Sequence, residues 1–209
     1  MHAAPSILFY LDFISPFAYL ANSQLPAIAY RHGARIEHRP IDVQQAKLAT
    51  GNFAPSTRSI PDKARFIRRD RLMWAERYGL AMRDPKSFRA PRLNSGLLYA
   101  ADHGLAQAYT DAAFYRVWGL GGDPDDEGLL RGVCGELGWD AETFLEHVAS
   151  EPARQRYEDL QRQASREGIF GVPMMVVGEH MFWGNDRLAH LEECLASIGR
   201  ATAGTWQES

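Results

Sequence analysis

One junction between a strand and a helix carries the residues best suited to chemistry. An apolar run over residues 7–13, ILFYLDF, predicts a buried strand, and Ser15 and Pro16 then open a helical pattern. Serine is a favoured N-cap because its side-chain oxygen accepts N–H groups of the first helical turn. Proline at the first helical position loses no hydrogen bond. A helix that begins directly after a strand can hold an anion, so this junction is a candidate anion site.

The N-terminal part of the chain predicts a β-α-β unit around that junction. The first strand covers about residues 6–13, and its helix ends at His32-Gly33. A second strand is predicted over 34–43, where Pro40 favours an edge position or the end of the strand. Two strands joined by a crossover helix run parallel, so we expect a parallel pair here.

The C-terminal part predicts a hairpin and a final helix. The apolar run over 172–177 and the short run over 181–183 flank Gly178-Glu179-His180, which is the pattern of two strands joined by a tight turn. Asn185 or Asp186 is then placed to cap the last helix.

Between these parts, residues 44–61 predict a structured loop with at most one helical turn, and helices with loops follow. In the first of these helices the pattern predicts an inner apolar face formed by Phe66, Ile67, Met73, Trp74 and Tyr78. The basic residues of the same helix are interpreted as a solvated face, formed by Lys63, Arg65, Arg68, Arg69 and Arg71.

The predicted fold class is therefore α/β: a thioredoxin-like domain, βαβ…ββα, with a large all-α domain inserted in the middle. The thioredoxin-like domain is discontinuous and comprises residues 1–44 and 168–200, while residues 45–167 form the inserted helical domain. Residues 201–209 are predicted to be a C-terminal tail.

Composition narrows the function classes. The 209-residue chain has a formal net charge of −3, which argues against a general attraction to nucleic acid or to an anionic membrane. No apolar run approaches the roughly 20 residues of a membrane span, and no basic region precedes the first apolar run, so we expect a cytoplasmic protein. Cys134 and Cys194 form no CxxC pair and read as small buried hydrophobes, and the seven histidines show no ligand spacing, so we expect no metal site.

A proline faces the junction in the predicted topology. In a thioredoxin-like fold a proline precedes the third strand and lies opposite the strand-to-helix junction, and Val172-Pro173 occupies that position. Taken alone, Pro173 would be expected in the common trans form. Its placement opposite Ser15 instead predicts a cis peptide bond, which leaves the backbone of Val172 free to pair with an extended peptide.

Three segments then carry a specific resemblance. The segments DFISPFAYLA (12–21), GVPMM (171–175) and FWGNDRL (182–188) resemble the signatures of 2-hydroxychromene-2-carboxylate isomerases. These are bacterial, glutathione-dependent relatives of the kappa-class glutathione transferases. The resemblance covers nearly the whole chain. Its two ends are shared with the kappa class, whereas residues 41–58 are similar to the isomerase branch.

The resemblance implies a glutathione site. It makes Ser15 the catalytic residue beside the glutathione sulfur, a hydrogen-bond donor to the thiolate rather than a nucleophile. It also implies that Val172 pairs with the tripeptide backbone next to Pro173. The γ-glutamyl end would be held by Trp183, Gly184, Asn185 and Asp186. The chemistry agrees, since the α-amino group of glutathione is cationic and Asp186 can supply a carboxylate.

The resemblance also implies a second group of residues, which bind the substrate. Lys47 and Arg58 are similar to cations that contact the substrate's carboxylate, and without the resemblance both would read as surface charges. Thr57 stands where the family has Asn, and Phe88 stands where it has Tyr. Both differences remove a polar group from the acceptor pocket, so the sequence leaves the exact substrate open.

The activity implied is the conversion of 2-hydroxychromene-2-carboxylate, or a close analogue, to trans-o-hydroxybenzylidenepyruvate by reversible thiol addition. That reaction belongs to aromatic hydrocarbon catabolism such as naphthalene degradation, and the family implies a homodimer that binds a small aromatic carboxylate. One alternative is a kappa-like glutathione transferase or peroxidase that acts on another electrophile. Another is a redox-silent thioredoxin-like domain that binds extended peptides beside Pro173.

Overall fold

The computed structural model describes residues 4–55 and 57–204, and the side chains of Arg58 and of residues 201–204 lie outside the described part. Its strands are β1 (Ser6–Leu11), β2 (Arg35–Pro40), β3 (Met174–Val177) and β4 (His180–Trp183). Its α-helices are α1 (Pro16–Arg31), α2 (Val43–Ala49), α3 (Pro61–Tyr78), α4 (Pro91–Asp102), α5 (Ala106–Phe114), α6 (Glu127–Leu137), α7 (Ala141–Ala149), α8 (Glu151–Arg166) and α9 (Leu188–Gly204).

The four strands form one mixed sheet in the order β2-β1-β3-β4. Strands β1 and β2 are parallel, with Phe9 opposite His38, whereas β3 is antiparallel both to β1 and to β4. The β-α-β unit, the hairpin and the thioredoxin-like class are therefore confirmed. Strand β2 lies at the edge of the sheet and ends at Pro40, as its proline predicts.

One continuous apolar core joins the sheet to the inserted helices. It contains Phe9 from β1 and Phe13 from the junction together with Phe114 from α5 and Phe144 from α7. The rings of Phe13 and Phe114 are 4.8 Å apart between centroids. A smaller core on the other face of the sheet packs Tyr10 against residues that include Ala164 of α8. The helical segment is therefore packed against the sheet, and the domain boundaries drawn from the sequence stay a prediction.

Two predicted boundaries fall inside helices. Helix α2 begins at Val43 and crosses the boundary placed after residue 44. Asp42 caps it by accepting hydrogen bonds from the N–H groups of Gln44 and Gln45, so this stretch holds more helix than the predicted loop. Helix α9 continues to Gly204, beyond the predicted start of the tail. Residues 205–209 of that tail lie outside the described residues.

The predicted faces of α3 are wrong at three positions. Phe66 and Met73, expected in the core, are 70% and 61% exposed. Arg71, expected on a solvated face, is buried. The reason is tertiary: the guanidinium carbon of Arg71 lies 5.2 Å from the Trp118 ring centroid, and its charge is paired with Asp84.

A short π-helical segment, Tyr115–Gly119, follows α5 directly. A Cβ atom on Gly119 would lie 2.5 Å from the Tyr115 ring, so this tight segment needs glycine there. The segment carries Trp118, whose indole N–H donates a hydrogen bond to the backbone oxygen of Phe13 over 2.9 Å. An irregular helix end thus supports the strand-to-helix junction.

Three further properties concern the described residues only. No helix among them is both long enough and apolar enough to cross a membrane. No group of three or more His, Cys, Asp or Glu side chains in this part could hold a metal ion. Both cysteines are free: Cys134 is buried, which raises the pKa of its thiol, whereas Cys194 is only partly buried.

Candidate active site

Ser15 caps helix α1 at the end of the first strand. Its backbone is extended, and its Oγ accepts a hydrogen bond from the N–H of Ala18 over 3.2 Å. Pro16 occupies the first helical position. Because Oγ accepts from Ala18, the hydroxyl hydrogen of Ser15 remains available to donate to an anion, and no described residue accepts it.

Side chains from the helical segment hold the backbone that presents Ser15. The N–H of Phe13 donates to Asn94 Oδ1 over 3.3 Å, and Trp118 donates to the carbonyl oxygen of Phe13. The N–H of Ser15 itself donates to the carbonyl oxygen of Asp12 over 2.9 Å. Neither Asn94 nor Trp118 carries a local signal in the sequence, because both reach the junction only in the folded chain.

Asp12 lies beneath the junction and is 2% exposed. Its Oδ1 accepts hydrogen bonds from the N–H of Ile14 and from Asn94 Nδ2, and its Oδ2 accepts one from the N–H of Val43. Burial raises the pKa of the Asp12 carboxyl to about 6, although these three hydrogen bonds act in the opposite direction. Neither Asp12 nor Asn94 was among the residues predicted for the site.

The wall opposite Ser15 comes from the hairpin end of the sheet. The Val172–Pro173 peptide bond is cis, as predicted. The carbonyl oxygen of Pro173 accepts a hydrogen bond from the N–H of Gly184 over 3.0 Å, which ties the start of β3 to the end of β4. Trp183 is half exposed, and its ring lies edge-on to Phe170 with 4.9 Å between centroids. This wall therefore presents an aromatic surface beside the backbone of Val172.

The turn after β4 leads directly into the last helix. Gly184 has φ 107°, a conformation that L side chains rarely adopt. Asn185 is buried, while the Asp186 side chain is half exposed and lies 3.5 Å from the guanidinium group of Arg187. A carboxylate is thus available at this end of the site.

A cavity of about 540 Å³ brings most of the predicted site residues together, and its volume falls within the usual range of ligand pockets, about 300–1,000 Å³. Ser15, Val172 and Trp183 line it from the thioredoxin-like part. The substrate-binding candidates that line it from the inserted segment are Lys47, Thr57 and Phe88.

Four other predicted residues do not line this cavity. Pro173, Gly184, Asn185 and Asp186 are neighbours in the chain of Val172 and Trp183, but the cavity lining does not include them. The side chain of Arg58 lies outside the described residues. A larger groove of about 1010 Å³ runs along the open edge of β2, and no predicted site residue lines it.

Helix α3 contributes a face that sequence reasoning missed. Ala64, Ile67, Arg68 and Arg71 line the cavity, and Asp84 lies beside them. The spacing of the four helical residues, i, i+3, i+4 and i+7, places them on one face, and this was the signal available in the sequence. Asp84 had no comparable signal, because it lies on the connection after α3.

The charged side chains on this face of α3 form ion pairs with Asp84. Asp84 pairs with Arg71 and, over 3.4 Å, with Arg68. Burial raises the pKa of the Asp84 carboxyl, but the two guanidinium groups lower it more, so its pKa is below the ordinary value. Two arginines share one carboxylate, which leaves this wall of the cavity net positive and suited to an anionic ligand.

Comparison with known proteins places the chain. The model of the DSBA-like thioredoxin domain matches residues 6–196. The 2-hydroxychromene-2-carboxylate isomerase of Sphingobium xenophagum is 44% identical over 190 residues, which are 91% of this chain and 97% of that protein. The chain belongs to the DSBA-like thioredoxin family. Within it, the chain is a member of the 2-hydroxychromene-2-carboxylate isomerase group, which confirms the resemblance drawn from its sequence motifs.

Two further similarities agree with that membership. A solved structure of selenomethionine 2-hydroxychromene-2-carboxylate isomerase is 38% identical, with a TM-score of 0.91, over 96% of this chain and 98% of that chain. Human glutathione S-transferase kappa 1 is 25% identical over 203 residues, 88% of each protein. The kappa-class relationship is therefore more distant than the relationship to the isomerases.

Proposed function

We propose that this protein is a glutathione-dependent isomerase that converts 2-hydroxychromene-2-carboxylate, or a close analogue, to trans-o-hydroxybenzylidenepyruvate in aromatic hydrocarbon catabolism such as naphthalene degradation. The observation that carries the proposal is one cavity that joins Ser15 and Val172 to Lys47. One side offers a hydroxyl donor and a peptide-binding backbone, and the other offers a cation for the carboxylate of an aromatic substrate.

The residues present fit glutathione as the thiol cofactor. The N–H and carbonyl groups of Val172 have no backbone partner among the described residues, so they can pair with an extended tripeptide. The half-exposed carboxylate of Asp186 can receive the cationic α-amino group. When bound, glutathione supplies a thiolate whose reversible addition to the conjugated double bond lets that bond rotate.

The chain's own side chains then have separate tasks. Ser15 donates its hydroxyl hydrogen to the sulfur and so favours the charged form of the thiol, whose ordinary pKa is about 8.5. Lys47 holds the carboxylate of the substrate, and the arginine-rich face of α3 adds positive charge to the same cavity. Phe88 and Trp183 supply apolar surface for an aromatic ring.

The first experiment tests the activity. Purified protein is given the chromene carboxylate with and without glutathione, and the expected result is isomerisation only when glutathione is present. Conversion at an equal rate without any thiol would contradict the mechanism. Conjugation of a generic aryl halide with no isomerisation would favour the kappa-like transferase, and failure to bind glutathione in calorimetry would favour the peptide-binding alternative.

A second experiment tests the task of Ser15. Both Ser15→Ala and Ser150→Ala remove a helix N-cap, because Ser150 caps α8 by accepting from the N–H of Ala153 over 3.3 Å. Each change should lower the unfolding free energy by about 1 kcal/mol. Only Ser15→Ala should raise the pKa of bound glutathione, by about one to two units, as measured from thiolate absorbance. Equal pKa values in both variants would leave Ser15 as a helix cap alone.

Further parts of the proposal concern assembly, location and partners; the homodimer follows from the family membership and the location from the sequence composition. We propose a homodimer and a cytoplasmic location, with small aromatic carboxylates as partners and with neither nucleic acid nor membrane as a partner. Sedimentation of the purified protein measures the first, and fractionation of the producing cells measures the second. A monomer at all accessible concentrations, or recovery from the membrane fraction, would contradict the respective part.

A further inference from the structure

The buried carboxyl group of Asp12 connects the two halves of the candidate site. Asp12 is 2% exposed and does not line the cavity, so it cannot touch a substrate. Three hydrogen bonds nevertheless converge on its two oxygens. Buried carboxylates are costly unless their oxygens are hydrogen-bonded, so the identity of these three donors indicates what the group holds.

One oxygen holds the turn that presents Ser15. Asp12 Oδ1 accepts the N–H of Ile14 over 3.2 Å, and Ile14 immediately precedes Ser15. The carbonyl oxygen of Asp12 accepts the N–H of Ser15 itself over 2.9 Å. The position of the Ser15 hydroxyl therefore depends on Asp12 through two separate hydrogen bonds.

The other oxygen holds the helix that carries Lys47. Asp12 Oδ2 accepts the N–H of Val43, the first residue of α2, over 3.0 Å. Lys47 lies one turn further along this short helix and lines the cavity. The two following N–H groups of α2 are capped by Asp42, so the Asp12 carboxylate holds the first N–H group of α2 beside the end of β1, next to the hydrogen bond from the N–H of Ile41 to the carbonyl oxygen of Leu11.

A second side chain fixes the carboxylate itself. Asn94 Nδ2 donates to Asp12 Oδ1 over 3.1 Å and to the hydroxyl oxygen of Tyr157 over 3.0 Å. Asn94 Oδ1 accepts a hydrogen bond from the N–H of Phe13. The amide thus satisfies its hydrogen bonds in one orientation only, and the Asp12 carboxylate is held at a fixed position between β1, α2 and α4.

We propose that Asp12 is a positioning residue, whose carboxylate fixes the Ser15 turn and the Lys47 helix relative to each other so that sulfur and substrate carboxylate are held at a set separation. The roles of Ser15 and Lys47 in this statement rest on the proposed function. The mechanical link between the two segments does not, so it can be measured without turnover.

Amide hydrogen exchange of the free protein tests the link. In Asp12→Asn one carboxylate oxygen becomes an NH₂ group, which faces a donor in either orientation. Because the amide keeps one acceptor oxygen, we expect exchange to rise by about tenfold at whichever of Ile14 and Val43 faces the NH₂ group. The control is Asp111→Asn, an exposed aspartate whose carboxylate accepts a hydrogen bond from Asn22 over 2.6 Å outside the cavity. Its exchange at Ile14 and Val43 should equal that of the wild type.

A second variant cuts only one arm of the link. Val43→Pro removes the N–H that donates to Asp12, and proline is well tolerated at the first position of a helix. Its predecessor, Asp42, already has the extended backbone that proline requires, with φ −83° and ψ 107°. This variant should fold even if Asp12→Asn does not.

Kinetics then separate positioning from a purely structural role. Val43→Pro should raise KM for the chromene carboxylate while the pKa of bound glutathione stays unchanged, and Asp12→Asn should change both and lower kcat/KM by about ten- to a hundredfold. Unchanged exchange at both Ile14 and Val43 in Asp12→Asn, or unchanged KM in a folded Val43→Pro, would overturn the proposal. If the wild type shows no glutathione-dependent turnover, the proposed function fails, and the exchange result alone decides the role of Asp12.

Discussion

Folding removes the charge of Asp12 almost completely from water. Burial raises the pKa of its carboxyl from 3.8 to about 6. The folded state therefore binds the proton of this carboxyl more tightly than the unfolded chain does. Protonation of Asp12 makes its full stabilising contribution to the free energy of unfolding below about pH 4. That contribution is lost as the pH rises through 6, and the group costs the fold free energy at neutral pH.

The first prediction follows from that sign. Between pH 4 and pH 7 the wild type should lose about 2 kcal/mol of unfolding free energy relative to Asp12→Asn, which does not titrate. Denaturant unfolding at a series of pH values measures the difference. The comparison cancels the contributions of other groups that titrate in this window, because both proteins contain them. Parallel stability curves for the two proteins would show that Asp12 does not titrate there.

Single residues could be predicted from the sequence where their role depends on near neighbours. Ser15 was found because a cap and a following proline are adjacent in the chain, and Pro173 was found because it precedes a strand. Arg71 and Asn94 were missed for the opposite reason. Arg71 is buried only because Trp118 and Asp84 come to meet it, and Asn94 gains its role only through contact with Asp12.

Among the elements, the turn between β4 and α9 is the most constrained by backbone geometry. Gly184 has φ 107°, and an added Cβ atom would lie 2.3 Å from Asp186 Oδ1. Its N–H also donates to the carbonyl oxygen of Pro173. A side chain at this position would therefore displace Asp186 from the start of the final helix.

The second prediction concerns this turn. Gly184→Ala should weaken glutathione binding by about tenfold or more, because the lost position of Asp186 removes one charge-assisted contact worth about 1.5–3 kcal/mol. Calorimetric titration with glutathione measures it. The control is Gly178→Ala in the β3–β4 turn, where φ is 58° and no atom lies within 4 Å of the added Cβ. If both alanine variants bind equally well, the turn geometry does not matter for binding.

Secondary-structure elements could be predicted where one hydrophobic period dominated the sequence pattern. The β-α-β unit, the hairpin and the final helix followed from apolar runs and turn residues, and the structure has them in the expected order. Helix α3 was placed correctly, but two residues of its predicted inner face are exposed. Its long arginine side chains make the amphipathic pattern ambiguous. An arginine can pack its aliphatic stem against apolar residues and stack its guanidinium group on an aromatic ring, so it need not face solvent. Pattern alone could not tell Arg71 from Phe66.

For the molecule as a whole, one core crosses the predicted boundary between the sheet and the inserted helices. The Phe144 ring of α7 lies 6.0 Å from that of Tyr109, and the Tyr109 ring lies 5.9 Å from that of Phe13 at the junction. A Cβ atom on Gly96 of α4 would lie 2.4 Å from the Tyr109 hydroxyl, so this chain of rings is closely packed. Such continuity favours cooperative unfolding of both parts.

The last prediction tests that cooperativity. Phe144→Ala deletes a fully buried ring in the helical part and should cost about 3–5 kcal/mol of unfolding free energy. The same loss of stability should be seen in both parts of the molecule. In the sheet it should appear as faster amide exchange in β1, and in the helices as a lower unfolding midpoint measured by far-ultraviolet circular dichroism. The control is Phe66→Ala, which deletes the same side chain from a position that is 70% exposed and should change stability by less than about 0.5 kcal/mol. If β1 keeps its protection while the helices melt early in Phe144→Ala, the inserted segment is an independent folding unit. Coincident shifts would show that the sheet and the helices around Ser15 are stabilised by one shared core.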